Sequence, residues 1–328
     1  MSRGEPYPGH MLQPRSSLHL AVPLLLLGLV AGGCTATTLL DSRNPLREET
    51  ATTTTSPSQP TPLAARSGQP PHDHTQAGGD TPITSDAVSA GGTSSVRRPS
   101  WLGTRVLPRR PDGFGEVRPT PPELQDRRFA SLDLLPPPHD HRFDVRVQTV
   151  PGEVARRSTW HPQCPVALED LRYVMLTYWG FDERPHTGEL LVHAAAAEDL
   201  IRVFRRLYAA RFPIEEMRVV SSEELRAAPT GDGNNTTSFA CRPTTGGTTW
   251  SEHAYGLAVD INPFHNPYLK GDLVLPELAT AYTKRSWRRA GMIAAGDEVT
   301  ESFATIGWGW GGAWRSAKDW MHFSRSGL

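Results

Sequence analysis

The sequence has almost no net charge and no basic stripe. Its 328 residues include 34 lysines and arginines against 35 aspartates and glutamates, which gives a formal net charge of −1. Nucleic-acid-binding domains concentrate positive charge on one face or along one helix. The arginine pairs in the first half, such as Arg97-Arg98 and Arg109-Arg110, stand apart from one another. The charge pattern therefore argues against nucleic acid as a partner.

Long hydrophobic runs are also scarce. The apolar run at residues 18–30 is too short to span a bilayer comfortably, and it follows Arg3 and Arg15 as in an export signal. It leads to Val30-Ala-Gly-Gly-Cys34, which resembles the signal of bacterial lipoproteins, where the cysteine is lipidated. We expect residues 1–33 to be this signal and the protein to be exported, with Cys34 as its membrane anchor at the outer face of the cytoplasmic membrane or in the cell wall. A plain cleaved signal and an uncleaved anchor remain alternatives.

Apolar periodicity is nearly absent from residues 34–145. This stretch is rich in Thr, Pro, Ser, Gly and Arg, and the composition of residues 51–62 predicts an extended, flexible stalk. Such a composition buries too little apolar surface to offset the entropy lost on ordering. We therefore expect a disordered tether over residues 34–145 and one folded domain over residues 146–328, which is an ordinary domain size.

Cysteine is rare, with three in the chain. If Cys34 carries a lipid, Cys164 and Cys241 remain as an even pair. Two cysteines in one exported domain form a disulfide more often than a reactive site. We expect that disulfide.

The remaining sequence mixes short strand and helix patterns. Strands are predicted at residues 173–178, 189–192, 217–220, 257–261 and 320–323, and helices at residues 194–211 and after Asp297. Residues 221–250, rich in Gly, Asn, Thr and Pro, predict a long loop of the kind that is commonly functional. Because no βαβ period repeats, we predict an α+β fold with a small, mainly antiparallel sheet and flanking helices.

Two of these strands would carry metal ligands. Alternation directs Asp260 away from its apolar neighbours in one strand and His322 away from Met321 and Phe323 in the other. His253, before the flexible Gly256, can supply a third ligand. Two imidazoles and a carboxylate suffice for a catalytic zinc, which keeps its fourth position for water. The alternative is that these are polar residues at strand edges whose hydrogen bonds are made within the protein, without a metal.

The same residues lie in recognisable motifs. The motifs are Ser251-x-His253-x-x-Gly256-x-Ala258-x-Asp260, Trp310-Gly-Gly-x-Trp314 and Asp319-x-x-His322-Phe. Together they resemble the motifs of the zinc D-alanyl-D-alanine carboxypeptidase (VanY-like) family, which includes L-alanyl-D-glutamate peptidases acting on peptidoglycan. The resemblance implies the family's α+β zinc fold, which is hedgehog-like, and one Zn²⁺ per chain on His253, Asp260 and His322. It also implies that Asp319 is the catalytic acid/base, where many members have glutamate. It covers about the last 80 residues.

Further positions have two interpretations each. Arg242 is a candidate catalytic cation for the oxyanion or for a substrate carboxylate, or else an arginine that braces its loop. Ser251 is a candidate substrate-binding residue or a turn residue. The indoles of Trp308, Trp310 and Trp314 either line a groove or pack internally.

The sequence thus predicts an exported zinc peptidase that hydrolyses peptidoglycan stem peptides as a D-Ala-D-Ala carboxypeptidase does. One alternative is an endopeptidase that cuts L-Ala-D-Glu or cross-bridge bonds. Another is a non-catalytic cell-wall-binding module that keeps the zinc.

Overall fold

A computed structural model describes residues 96–328, which belong to one compact unit. The predicted signal, Cys34 and the first part of the predicted tether lie outside these residues. The helices are α1 (Pro122–Gln125), α2 (Gly152–Arg157), α3 (Ala197–Ala209), α4 (Ser222–Arg226) and α5 (Glu298–Ala304). The strands are β1 (Val145–Thr149), β2 (Leu171–Trp179), β3 (Pro185–His193), β4 (Glu216–Met217), β5 (Asn235–Thr236), β6 (Ala258–Asp260), β7 (Tyr268–Lys270), β8 (Leu273–Leu275), β9 (Gly309–Trp310), β10 (Lys318–Asp319) and β11 (His322–Ser324).

The longest strands, β2 and β3, are the two that the sequence predicts at residues 173–178 and 189–192. They pair antiparallel over nine residues, and β1 joins the free edge of β2. Helix α3 packs its apolar face on this sheet. The buried side chains of that face are Leu200, Ile201, Phe204 and Leu207. The helix predicted at residues 194–211 is therefore confirmed, with its first three residues in a 3₁₀ turn.

Two further sheets contain the sequence motifs. Their strand orders are β6-β11-β9 and β10-β7-β8, and every pair in them is antiparallel. Helix α5 begins after Asp297, whose carboxylate accepts a hydrogen bond from the Thr300 amide at 3.0 Å, as expected of an N-cap. The predicted α+β fold with mainly antiparallel sheets is confirmed.

The strand predicted at residues 217–220 is wrong beyond Met217. Strand β4 ends there and pairs in parallel with β5, which lies in the predicted loop. The next two amides bond to side chains instead of a neighbouring strand: Arg218 donates to the Asn235 amide oxygen at 2.9 Å and Val219 to Glu189 at 3.3 Å. Side-chain competition for the backbone ends the strand.

The predicted domain boundary at residue 146 is also wrong. Leu107, Leu124 and Phe129 are buried in a cluster with Phe264 and Tyr282, so residues 96–145 pack as part of the domain rather than as a tether. These apolar residues are too widely spaced to show a helix or strand period. They are buried because the rest of the domain presents an apolar surface to them.

A buried ion pair holds this N-terminal segment in place. The Arg127 guanidinium donates to both carboxylate oxygens of Glu215, at 2.7 and 2.8 Å, and both side chains are almost inaccessible to solvent. Arg127 also donates to the Asp232 carbonyl at 2.8 Å. Among residues 96–328, no helix is long and apolar enough to cross a membrane.

We predict that Arg127→Ala lowers the free energy of unfolding by about 3–5 kcal/mol, because it removes the buried cation from the Glu215 carboxylate. That carboxylate would keep only the Asn234 side-chain amide at 2.7 Å and the more distant Arg98 guanidinium at 3.6 Å. Urea denaturation monitored by circular dichroism measures this. The matched control is Arg128→Ala, whose partner Asp126 is solvent-exposed, so the loss should stay below about 1 kcal/mol. Equal losses in the two variants would contradict the structural role of this ion pair.

Candidate metal centre

Strand register brings Asp260 and His322 together. In the antiparallel pair of β6 and β11, His322 lies directly opposite Asp260 and Phe323 opposite Val259. Val259 and Phe323 are fully buried in the core. The alternation expected of a strand therefore places the polar pair on the other face, where His322 Nδ1 lies 3.1 Å from Asp260 Oδ1.

A capped turn supplies His253. The 3₁₀ turn Glu252–Tyr255 starts at Ser251, whose hydroxyl accepts a hydrogen bond from the His253 amide at 3.3 Å, and ends at Gly256. Gly256 has a φ of +69°, and a Cβ there would lie 2.7 Å from the His193 amide nitrogen. Glycine is therefore required both by its backbone conformation and by the close approach of β3.

The three side chains converge on one point. His253 Nε2 lies 3.2 Å from Asp260 Oδ2 and 3.2 Å from His322 Nδ1. One ligand atom from each residue lies within 4.8 Å of the others. Burial opposes the charged form of Asp260, yet positive charge on the two imidazoles, when they are protonated, outweighs it and holds the pKa of this carboxyl well below its usual range.

Hydrogen bonds to the main chain determine which ring nitrogens face this point. His253 Nδ1 lies 2.5 Å from the Ser238 carbonyl oxygen, and His322 Nε2 lies 3.0 Å from the main-chain oxygen of Leu328. A carbonyl can only accept, so these nitrogens carry the protons. In the neutral rings, the opposite nitrogens then present lone pairs to one another and to Asp260. Such an arrangement needs a cation or protons between these lone pairs. Two imidazole nitrogens and a carboxylate oxygen are ligands that suit zinc.

Asp319 comes from a different sheet. It lies in β10, and the backbone of Gly311 packs so closely on it that a Cβ would meet the Asp319 carbonyl oxygen at 2.6 Å. Asp319 Oδ1 is buried and has no hydrogen-bond partner among the described residues. Burial and then repulsion from Asp260 raise the pKa of Asp319 to about 7. This carboxyl can therefore both take up and release a proton near neutral pH.

A cavity of about 370 Å³ gives access to these residues. Arg242 and Ser251 line it together with the three candidate ligands and Asp319, so the structure brings together all six site residues named from the sequence. The Arg242 guanidinium makes one hydrogen bond in the described part of the chain, to the Pro243 carbonyl at 3.1 Å. Ser251 caps the His253 turn, which agrees with its interpretation as a turn residue.

The disulfide joins Cys164 to Cys241, as predicted. Cys241 immediately precedes Arg242, and its amide donates to the Thr159 hydroxyl at 2.9 Å. The segment that carries Arg242 is therefore held to the residues around Cys164. His161 lies beside the two sulfurs, and the three side chains could ligate a metal only if the disulfide were reduced.

Of the three tryptophans in the motif region, two pack internally and one lines the cavity. Trp308 is buried in the core, and Trp310 lies beside Phe323 with its indole donating to the Trp320 carbonyl at 3.0 Å. Trp314 lines the cavity and tilts against the His322 ring, with 5.6 Å between centroids.

Three other histidines take no part in the centre. His265 is buried and bonds to the Arg127 carbonyl, and His186 lies between Asp133 and Asp182. His193 accepts a hydrogen bond from the Ala195 amide.

Among the cavity residues that sequence reasoning missed are two aromatic ones, Trp250 and Tyr268. Trp250 stands next to Ser251, so its proximity to the motif was the available signal. Tyr268 follows Asp260 by eight residues in a segment without a strand period, and only the pairing of β7 with β10 brings it to the site.

Residues 245–325 match the family described as D-alanyl-D-alanine carboxypeptidase. The match contains His253, Asp260, Asp319 and His322, while Arg242 and both disulfide cysteines precede it. The resemblance drawn from the motifs is confirmed over these residues, and it supports a peptidase. Comparison with curated proteins and with solved structures gave no match.

Proposed function

We propose that this protein is an exported zinc metallopeptidase that trims peptidoglycan stem peptides as a D-Ala-D-Ala carboxypeptidase does. One observation carries the proposal: two imidazole nitrogens and a carboxylate, held with their acceptor atoms facing one another, share a cavity with the carboxyl group of Asp319. The family match over the same residues gives the reaction class.

The residues fit zinc. His253 and His322 each use one ring N–H on a main-chain oxygen, which fixes the tautomer and leaves the other nitrogen available as a ligand. Asp260 completes a set of three, the number that catalytic zinc sites use. When bound, the metal supplies Lewis acidity and lowers the pKa of water in its open position.

Asp319 would handle the protons of hydrolysis. Its deprotonated form can accept a proton from the attacking water, and its protonated form can pass that proton to the leaving amine. A carboxyl with a pKa near 7 is suited to both steps. The buried Oδ1 without a partner is free to receive a hydrogen bond from water or substrate.

Arg242 would bind the substrate's carboxylate. It is the arginine that lines the cavity in the described part of the chain, and it makes no ion pair there. A free guanidinium suits a terminal carboxylate, because it can donate two parallel hydrogen bonds. This favours cleavage of the C-terminal residue over cleavage within the peptide, which remains the second candidate.

The proposals for the substrate and for the cellular location are supported by the sequence. The family acts on peptidoglycan peptides, and the signal-like segment before Cys34 favours export and lipid anchoring. A non-catalytic wall-binding module is the rival interpretation. The retained Asp319, which such a module does not need, weighs against it.

We predict that the protein releases D-alanine or short peptides from purified peptidoglycan, and that a chelator abolishes the release. Asp319→Asn should lower the rate at least about 10²-fold, because the amide cannot accept the proton, while zinc content stays at one per chain. Mass spectrometry of the products and metal analysis of the same samples measure both. Release by the chelated protein would refute the metallopeptidase, and zinc binding without any release would favour the wall-binding module.

Substitution of Arg242 separates the two peptidase candidates. We predict that Arg242→Gln raises KM at least about tenfold for peptides with a free C-terminus, because it removes a charge-assisted hydrogen bond, and changes it little for amidated peptides. Arg226→Gln, an exposed arginine outside the cavity, is the control. Equal losses on free and amidated peptides would rule out a carboxylate role and favour the endopeptidase.

A further inference from the structure

Tyr268 is placed directly beside Asp319 by strand pairing. It begins β7, the central strand of the sheet β10-β7-β8, and lies opposite Asp319 in the register of β7 and β10. Side chains that are directly opposite in an antiparallel pair share one face, with Cβ atoms about 4.5–5.5 Å apart. Both residues line the cavity of the metal centre, so that shared face is the cavity wall.

The phenol keeps its proton at neutral pH. Partial burial and then the negative charge of Asp319 raise the pKa of Tyr268 above its ordinary value. Tyr268 therefore offers an O–H donor on the side of the cavity where the proton carrier lies.

This donor is unused. No hydrogen bond to the Tyr268 hydroxyl is formed within residues 96–328. The Trp314 indole, another donor among the residues that line the cavity, is occupied, since it donates to the Gly327 carbonyl at 2.8 Å. The strand itself is held between β10 and β8, and Leu269 packs against the cluster that contains Leu107 and Phe129. The backbone of β7 is therefore held in place, while the Tyr268 hydroxyl that it carries has no hydrogen-bond acceptor within the described residues.

We propose that Tyr268 is a further catalytic residue, whose hydroxyl donates a hydrogen bond to the scissile carbonyl oxygen as negative charge develops there. This rests on the proposed peptidase function. The leaving amine requires a proton, which Asp319 can supply, whereas the carbonyl oxygen requires fixed donors that strengthen their contact in the transition state. A neutral phenol on a rigid strand provides one, in the cavity that Arg242 also lines.

The test is Tyr268→Phe, which removes only the hydroxyl. We expect kcat for release of the C-terminal residue to fall about 10²-fold, the loss typical of one oxyanion donor, with KM changed by less than about threefold. Zinc content and the thermal midpoint should match the wild type. Tyr208→Phe is the matched control, because that hydroxyl is also without a partner but lies on α3, outside the cavity.

A binding measurement provides a second readout. Calorimetry should show that Tyr268→Phe weakens binding of a phosphinate dipeptide, which mimics the tetrahedral intermediate, at least about tenfold, and leaves binding of the product dipeptide unchanged. Unchanged kcat and unchanged phosphinate affinity would overturn the inference. So would a parallel loss of zinc or thermal stability, which would make Tyr268 a structural brace. Wild-type protein that neither cleaves the peptide nor binds the phosphinate would instead refute the proposed function, and this inference with it.

Discussion

The candidate site depends on three buried acceptor atoms that face one another. Asp260 and His322 cannot move apart, because their strands are paired in register above fully buried Val259 and Phe323. His253 cannot turn away, because its Nδ1–H is bonded to the Ser238 carbonyl. Lone pairs held together at this distance repel unless a cation or protons lie among them. The fold therefore maintains an arrangement that a metal ion would stabilise.

The candidate ligands and the candidate proton carrier lie in separate sheets. The candidate ligands come from β6, β11 and a capped turn, whereas Asp319 comes from β10, in the sheet β10-β7-β8. That second sheet packs against the cluster formed with the N-terminal segment. Metal affinity and catalysis should thus respond to different substitutions. The segment before residue 146 contributes to the position of Asp319 rather than only linking the domain to what precedes it.

Local patterns predicted what depends on local geometry. Alternation placed Asp260 and His322 on the open faces of their strands, and the apolar spacing of α3 located its buried face. Contacts between residues that are distant in sequence could not be predicted from such patterns. The burial of Leu107 and Phe129 depends on a surface formed more than 100 residues later, and Tyr268 reaches the cavity only because β7 pairs with β10. The strand expected after Met217 failed because Asn235 and Glu189, distant in sequence, accept its amide hydrogens.

We propose above all that His253, Asp260 and His322 bind one zinc ion. X-ray absorption at the zinc edge, on protein loaded with one equivalent of Zn²⁺, identifies the ligand atoms. The structure predicts two imidazoles and oxygen or nitrogen ligands at about 2.0–2.2 Å with no sulfur, and loss of this spectrum in His322→Ala. A sulfur shell near about 2.3 Å, or an unchanged spectrum in the variant, would contradict it.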